Sequence, residues 1–419
     1  MVRIGAVLGS LVVGLAMVAS GGTALASPPD PSLVVKGMPR VGSGVYRVAG
    51  ADRVETAIKA AQSRDDWGKR DVTLTWDCRG KLWAHGRPVE NTHRWGRGHD
   101  QDVQVGASGN SVQCTTVTAR YASALDIVVA RSDDYADALA ATPLADIVNA
   151  PVLINPSAAL DPRNASEITR LAAGYDRVQV HLLGGTSALS ASVQSAIAGL
   201  RGVDVVTRHA GQDRYGTAVA LAWTAVYWYG LEYGTDGVPV HIYLTTGTNF
   251  PDALAAGTAA AGNTGVVLLT ADATLGGATA RAVEELTRWV HVRRWQHGAP
   301  KILAVGGPAV AAARSGGLSA TSLMGADRYQ TAVKVAAQSG VDPQSFAVVP
   351  GANFPDAVVA SAYIANADGV LLLSKPDQLT PSTANFLRTN LDAGDQVIAF
   401  GGPQVLSQGV VTGMAGMLP

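Results

Sequence analysis

The sequence predicts an α/β protein built from three repeated units with parallel strands. Three observations carry that prediction. Gly-x-Asp-Arg-x-x-Thr-Ala occurs at residues 50–57, 211–218 and 325–332. A second motif follows each copy: Asp134-Tyr135-Ala136-Asp137-Ala138, Asn249-Phe250-Pro251-Asp252-Ala253 and Asn353-Phe354-Pro355-Asp356-Ala357. A Gly-Gly pair then closes an apolar run, at Gly184-Gly185, Gly306-Gly307 and Gly401-Gly402. Three copies in one order mean that a structural unit was multiplied, so fold and chemistry are read per unit.

The third copy shows the grammar of a unit. A helix opens at Asp327 and runs to about Gln338, and an apolar strand follows over Phe346-Ala347-Val348-Val349. A second helix opens at Asn353-Phe354-Pro355-Asp356, ahead of a buried strand from Gly369 to Ser374. A third helix begins near Thr380-Pro381, and the strand Gln396-Val397-Ile398-Ala399-Phe400 ends at the Gly-Gly pair. Helices alternating with short apolar runs argue for βαβ units, Rossmann-like in layering. The units span 44–204, 205–320 and 321–419.

Insertions distinguish the copies. The interval between the two motifs widens from Asp327–Asp356 to Asp213–Asp252 to Asp52–Asp137. In unit two the extra residues surround Trp228 to Gly234 and read as a longer surface loop. In unit one they form a block of about 64–120 that alternates apolar and polar residues, as in Val72-Thr73-Leu74-Thr75-Trp76. With Trp76, Trp83 and Trp95, it reads as a small β-rich subdomain. Both cysteines, Cys78 and Cys114, lie inside it and are expected to pair, for roughly 3–4 kcal/mol of stabilisation in the chain-entropy model. A metal site with His85, His93 and His99 is the alternative, but that spacing matches no compact zinc pattern.

The N-terminus reads as an export leader. Arg3 precedes an apolar run from Ile4 to Ala19, and Ala24-Leu25-Ala26 supplies a small-x-small cleavage pattern. Residues 1–26 are therefore expected to be removed, leaving a proline-rich linker over 27–43. The apolar run is short and interrupted by Gly5, Gly9 and Gly14, which argues against a stable membrane anchor. The protein is expected outside the cell, where a disulfide persists.

Each motif has a structural and a binding reading. Asp52, Asp213 and Asp327 are good N-caps, with Glu55 and Gln330 placed to complete capping boxes. Arg53, Arg214 and Arg328 sit unfavourably at the positive end of a helix dipole, so each implies a partner. The partner is either a carboxylate, Asp137, Asp252 or Asp356, in a planar two-bond pair, or an anionic group on a ligand. The intramolecular pair is the stronger expectation. Pro and Asp at the second motif are ordinary helix-start residues. The Gly-Gly pairs mark the carboxyl ends of strands, where open α/β sheets place ligands.

Composition narrows the function. At 419 residues with 47% hydrophobic content, the chain fills sizeable cores. A formal net charge of −1 with only 16% charged residues leaves no global field to gather polyanions, so nucleic acid is not expected as a partner. No G-x-G-x-x-G, P-loop, G-x-S-x-G or H-E-x-x-H pattern occurs. Hence no enzyme, cofactor or metal centre is expected.

These motifs, with the apolar triplets Val152-Leu153-Ile154, Val267-Leu268-Leu269 and Leu371-Leu372-Leu373 between them, resemble the cell-wall-binding repeat type 2. The resemblance covers residues 41–419 apart from the insertion. It implies three units packed as a pseudo-threefold trimer within one chain, with no further oligomerisation required. It also implies non-covalent binding of an anionic wall glycopolymer or peptidoglycan, with Asp52, Arg53, Asp137, Asp213, Arg214, Asp252, Asp327, Arg328 and Asp356 lining or bracing the clefts. In the family the apolar triplet is associated with wall anchoring, and buried strands would act through folding integrity. A secreted wall hydrolase, or an adhesin or surface-layer component binding through the insertion, are the alternatives.

Overall fold

The computed structural model describes residues 38–42, 44–68, 123–233, 240–292, 300–339, 342–352 and 354–419, together with short strands inside 72–121. It is organised around three sheets whose principal strands are parallel. The first runs Val152–Asn155, Ala124–Arg131, Arg177–Leu183, Val205–His209. The second runs Gly265–Thr270, His241–Thr246, Ile302–Val305, Thr321–Leu323. In the third, Val370–Ser374, Ser345–Pro350, Gln396–Phe400 and Val45–Val48 are followed by an antiparallel edge strand, Arg40–Gly42. The central strands Arg177–Leu183, Ser345–Pro350 and Gln396–Phe400 are buried along their length, as parallel strands covered on both faces must be.

The fourth strand of every sheet leads straight into the first motif of the next unit. Val205–His209 lies in the first sheet but precedes Asp213, and Thr321–Leu323 lies in the second but precedes Asp327. Val45–Val48 precedes Asp52, yet pairs with the last strand of the chain, Val45 opposite Val397 and Val48 opposite Phe400. The hand-off therefore closes on itself. No unit completes its own sheet.

The helices that follow the second motifs, Thr142–Ile147, Pro251–Ala261 and Phe354–Ala365, pack pairwise against one another. Small residues allow the close approach: a Cβ on Gly257 would sit 2.9 Å from Thr142 Oγ1, and Ala255, Ala256, Ala259 and Ala260 are buried beside it. Thr142 Oγ1 and Ser361 Oγ, from different units, lie 2.8 Å apart. Leu144, Leu254 and Ile364 are buried here, each contributing about 1.5–3 kcal/mol. This is where the Ala and Gly abundance of the sequence is spent.

Two expectations are corrected. Residues 228–233 of unit two do not form a surface loop, because the helix Arg214–Tyr233 continues through them. The helix lies against the insertion strand Trp83–Ala84. In unit one the second motif does not open a helix directly; residues 137–140 are turns and the helix is Thr142–Ile147. Units two and three carry proline beside the motif aspartate, at Pro251 and Pro355, whereas unit one defers its proline to Pro143.

Within the insertion, Val72–Trp76 pairs antiparallel with Val117–Tyr121, and two short hairpins lie between them. Cys78, Cys114, His85, His93 and His99, like the leader, fall outside the described residues. Among the described residues, no helix is long and apolar enough to cross a membrane.

Unit one also buries a polar chain that has no counterpart motif. Asp126 Oδ1 accepts from His181 Nε2 at 2.7 Å, His181 Nδ1 lies 2.9 Å from His209 Nε2, and His209 Nδ1 faces Thr224 Oγ1 on the unit-two helix at 3.3 Å. Burial, reinforced by the neighbouring His181 ring, pushes His209 down to about 3. The unfolded chain then binds a proton near pH 6.5 that the native state refuses until about 3. Stability present above pH 6.5 should be lost as the pH falls through that window. Thermal melting from pH 7.5 to 4 is expected to show the decline, with a shallower slope in His209→Gln.

Candidate functional site

The first motif resolves into one local device, repeated three times. Asp52, Asp213 and Asp327 accept through Oδ1 from the N–H of Glu55, Gly216 and Gln330, at 2.9, 2.9 and 2.8 Å. Thr56, Thr217 and Thr331 hydroxyls accept from the N–H of Gly50, Gly211 and Gly325. The glycines are required by closeness, since a Cβ on Gly211 would lie 2.2 Å from the Gly216 carbonyl carbon. Glu55 and Gln330 reach back to the N–H of Ala51 and Ala326. Ala57, Ala218 and Ala332 are buried.

The arginine of the motif has a main-chain partner. Arg214 Nη1 donates to Gly247 O and Arg328 Nη1 to Gly351 O, each at 2.6 Å, and Arg53 Nη1 donates to Ser132 O. Each carbonyl follows the first strand of the same unit. The guanidinium thereby ties a helix start to a strand end. It also reaches across the junction: Arg53 lies 5.9 Å from the Phe354 ring centre and Arg214 lies 5.8 Å from that of Tyr135, both in the preceding unit. Tyr135, Phe250 and Phe354 meet one another at 5.6, 5.6 and 6.3 Å between centroids. The three second motifs therefore converge, a contact that the repeated aromatic position hinted at and sequence reasoning did not use.

The second-motif aspartates face the Gly-Gly turns of their own units. A Cβ on Gly184 would lie 2.3 Å from Asp137 Oδ2, and one on Gly306 2.1 Å from Asp252 Oδ2. Gly184, Gly306 and Gly401 have φ of +86°, +84° and +107°, so the first glycine of each pair meets both a conformational and a steric demand. Burial raises the Asp252 and Asp356 carboxyls above their ordinary range. The charge of Arg328 opposes this at Asp252, and Arg53 and the Thr56 hydroxyl oppose it at Asp356. Each of these arginines belongs to the following unit. The coupling is at a distance: Asp252 Oδ1 is buried without a hydrogen-bond partner, so the expected two-bond pair with Arg328 does not form.

Two arginines, Arg47 buried and Arg208 half-buried, escaped sequence reasoning. Arg208 Nη1 donates to Gly184 O at 2.8 Å and Gly185 O at 3.0 Å. Arg47 Nη1 donates to Gly401 O at 2.6 Å and Leu406 O at 2.9 Å. Each precedes its motif aspartate by the same interval, a signal visible in the sequence. In the third copy that place holds the exposed Ser322. The apolar triplets are buried throughout. Among the described residues, Asp52 is the one first-motif aspartate engaged by a side chain, Arg163, at 2.9 Å.

Each junction thus presents an aspartate and a Gly-Gly turn from one unit, and an arginine from the next, at strand carboxyl ends. The description Cell wall binding domain 2 (CWB2) matches residues 47–194, 208–314 and 323–411. The chain belongs to this family. Its three matched segments are tandem cell wall binding domains, which associates the protein with the cell wall. It is 25% identical over 269 residues to N-acetylmuramoyl-L-alanine amidase LytC of Bacillus subtilis, covering 62% of this chain and 47% of that protein. It is 31% identical over 163 residues to PH0614 of Pyrococcus horikoshii, covering 38% and 45%. The domains share their fold with Cwp6 and Cwp8 of Clostridium difficile, with TM-scores of 0.63 and 0.62 at 17% identity. Those alignments cover 90% of this chain and 48% and 52% of the solved ones. The chain thus spans about half the length of these proteins.

Replacing Arg208 by Met should strand the Gly184 and Gly185 carbonyls and lower the unfolding free energy by about 1–3 kcal/mol in urea titrations. Ser322→Ala, at the equivalent place, should change it by less than about 0.5 kcal/mol.

Proposed function

We propose that the protein is a secreted, non-catalytic wall-binding protein that holds an anionic wall glycopolymer non-covalently at its unit junctions. Units 44–204, 205–320 and 321–419 form a pseudo-threefold trimer within one chain, so no second copy is needed. The leader is removed after Ala26, and Cys78 and Cys114 form a disulfide that staples the insertion. The observation that carries this reading is the recurrence, at all three junctions, of an Asp, a Gly-Gly turn and an Arg contributed by two units. Repetition of a weak site serves avidity, in which linked contacts multiply affinity without any one being strong. The family assignment supports the same class of ligand.

Co-sedimentation of the mature protein with native wall, and with wall stripped of its anionic polymers, tests the reading across a salt series. Binding is expected to native wall, and to fall on stripping and with rising salt. Undiminished binding to stripped wall would assign peptidoglycan instead. Release of soluble fragments would assign a hydrolase, the activity in the name of the Bacillus subtilis relative.

A further inference from the structure

The three junctions are built from one pattern but are not chemically equal. Where units one and two meet, Arg208 clamps the Gly184-Gly185 turn. Where units three and one meet, Arg47 clamps the turn at Gly401. The junction of units two and three keeps Thr331 at the place of Thr56 but, among the described residues, has no arginine to clamp its turn. Ser322 stands where Arg47 and Arg208 stand.

Two polar atoms are left over at that junction. Among the described residues, Asp252 is the one second-motif aspartate with a buried oxygen, Oδ1, that has no partner. Thr245 Oγ1, fully buried, is also unpartnered, and Thr245 pairs in register with Val305, the residue before the Gly306 that abuts Asp252. Its equivalents in the other sheets are the apolar Ala130 and Val349. A buried carboxylate oxygen without a donor costs about 1–3 kcal/mol or more, and such a cost is retained where a site awaits a ligand.

We propose that the junction of units two and three is the principal ligand site of the protein. Asp252 there accepts a hydrogen bond from a hydroxyl or amino group of a sugar residue, while Arg328 lies alongside to meet an anionic substituent of the same polymer. The other two junctions, whose Gly-Gly turns are clamped by Arg208 and Arg47, act as braces and secondary contacts. This rests on the wall-binding reading and changes its arithmetic from three equal sites to one strong site.

The test compares Asp252→Asn, Asp137→Asn and Asp356→Asn in the full mature chain, with wall sacculi bearing their anionic polymers as the probe. Asp252→Asn is expected to weaken binding by about tenfold or more, a loss of about 1.4 kcal/mol. Its melting temperature should equal or exceed that of the wild type, because the amide removes a buried charge that lacked a donor. Asp137→Asn and Asp356→Asn should change affinity by less than about threefold at the same reference scale. Equal weakening by all three, or unchanged binding by Asp252→Asn, overturns the proposal while leaving the wall-binding reading in place. Failure of the wild-type protein to bind sacculi overturns both.

Discussion

A four-stranded sheet whose fourth strand belongs to the next unit cannot be finished by the unit that starts it. Every other feature of the molecule depends on that constraint. Because Val205–His209 and Thr321–Leu323 sit in the sheets of their predecessors, the turn after each strand delivers the Gly-x-Asp-Arg helix to a junction. The motif arginine is thereby placed where it can hold a strand-end carbonyl of its own unit and lie near the aromatic ring or aspartate of another. Val45–Val48 extends the rule to the ends of the chain, so the third sheet has the same form as the first two.

Most of the repeated residues are explained by assembly rather than by ligand. The glycine admits a close backbone approach, aspartate caps, threonine accepts from the glycine N–H, and alanine fills a buried position. Such a motif recurs because each step of the hand-off needs the same local geometry. What differs between copies is then the more informative part of the molecule. Arg47, Arg208 and Ser322 occupy one structural place with two chemistries, and Asp137, Asp252 and Asp356 occupy another with three environments.

The layered architecture was legible because its signals are local: cap residues, a proline after the motif, and runs such as Val370 to Ser374 whose burial is continuous. The capping aspartates were legible for the same reason. The arginine partners were not, because a main-chain carbonyl leaves no trace in side-chain identity and carboxylates were the visible candidates. The origin of the fourth strand was equally hidden, since pairing between Val45 and Val397 is a matter of topology rather than spacing. Helix continuation through Trp228 was missed because an added segment in one copy reads as a loop when compared with shorter copies.

The closed hand-off has a mechanical corollary. In a linear array of domains, one peptide-bond break separates the molecule into pieces. Here a break in an exposed connection, such as that at Arg201-Gly202, leaves both fragments gripped by strand pairing on two sides. The assembly would survive a single nick, and two cuts at separate junctions would be needed to release a unit. The ring gives the chain a redundancy that its covalent backbone lacks.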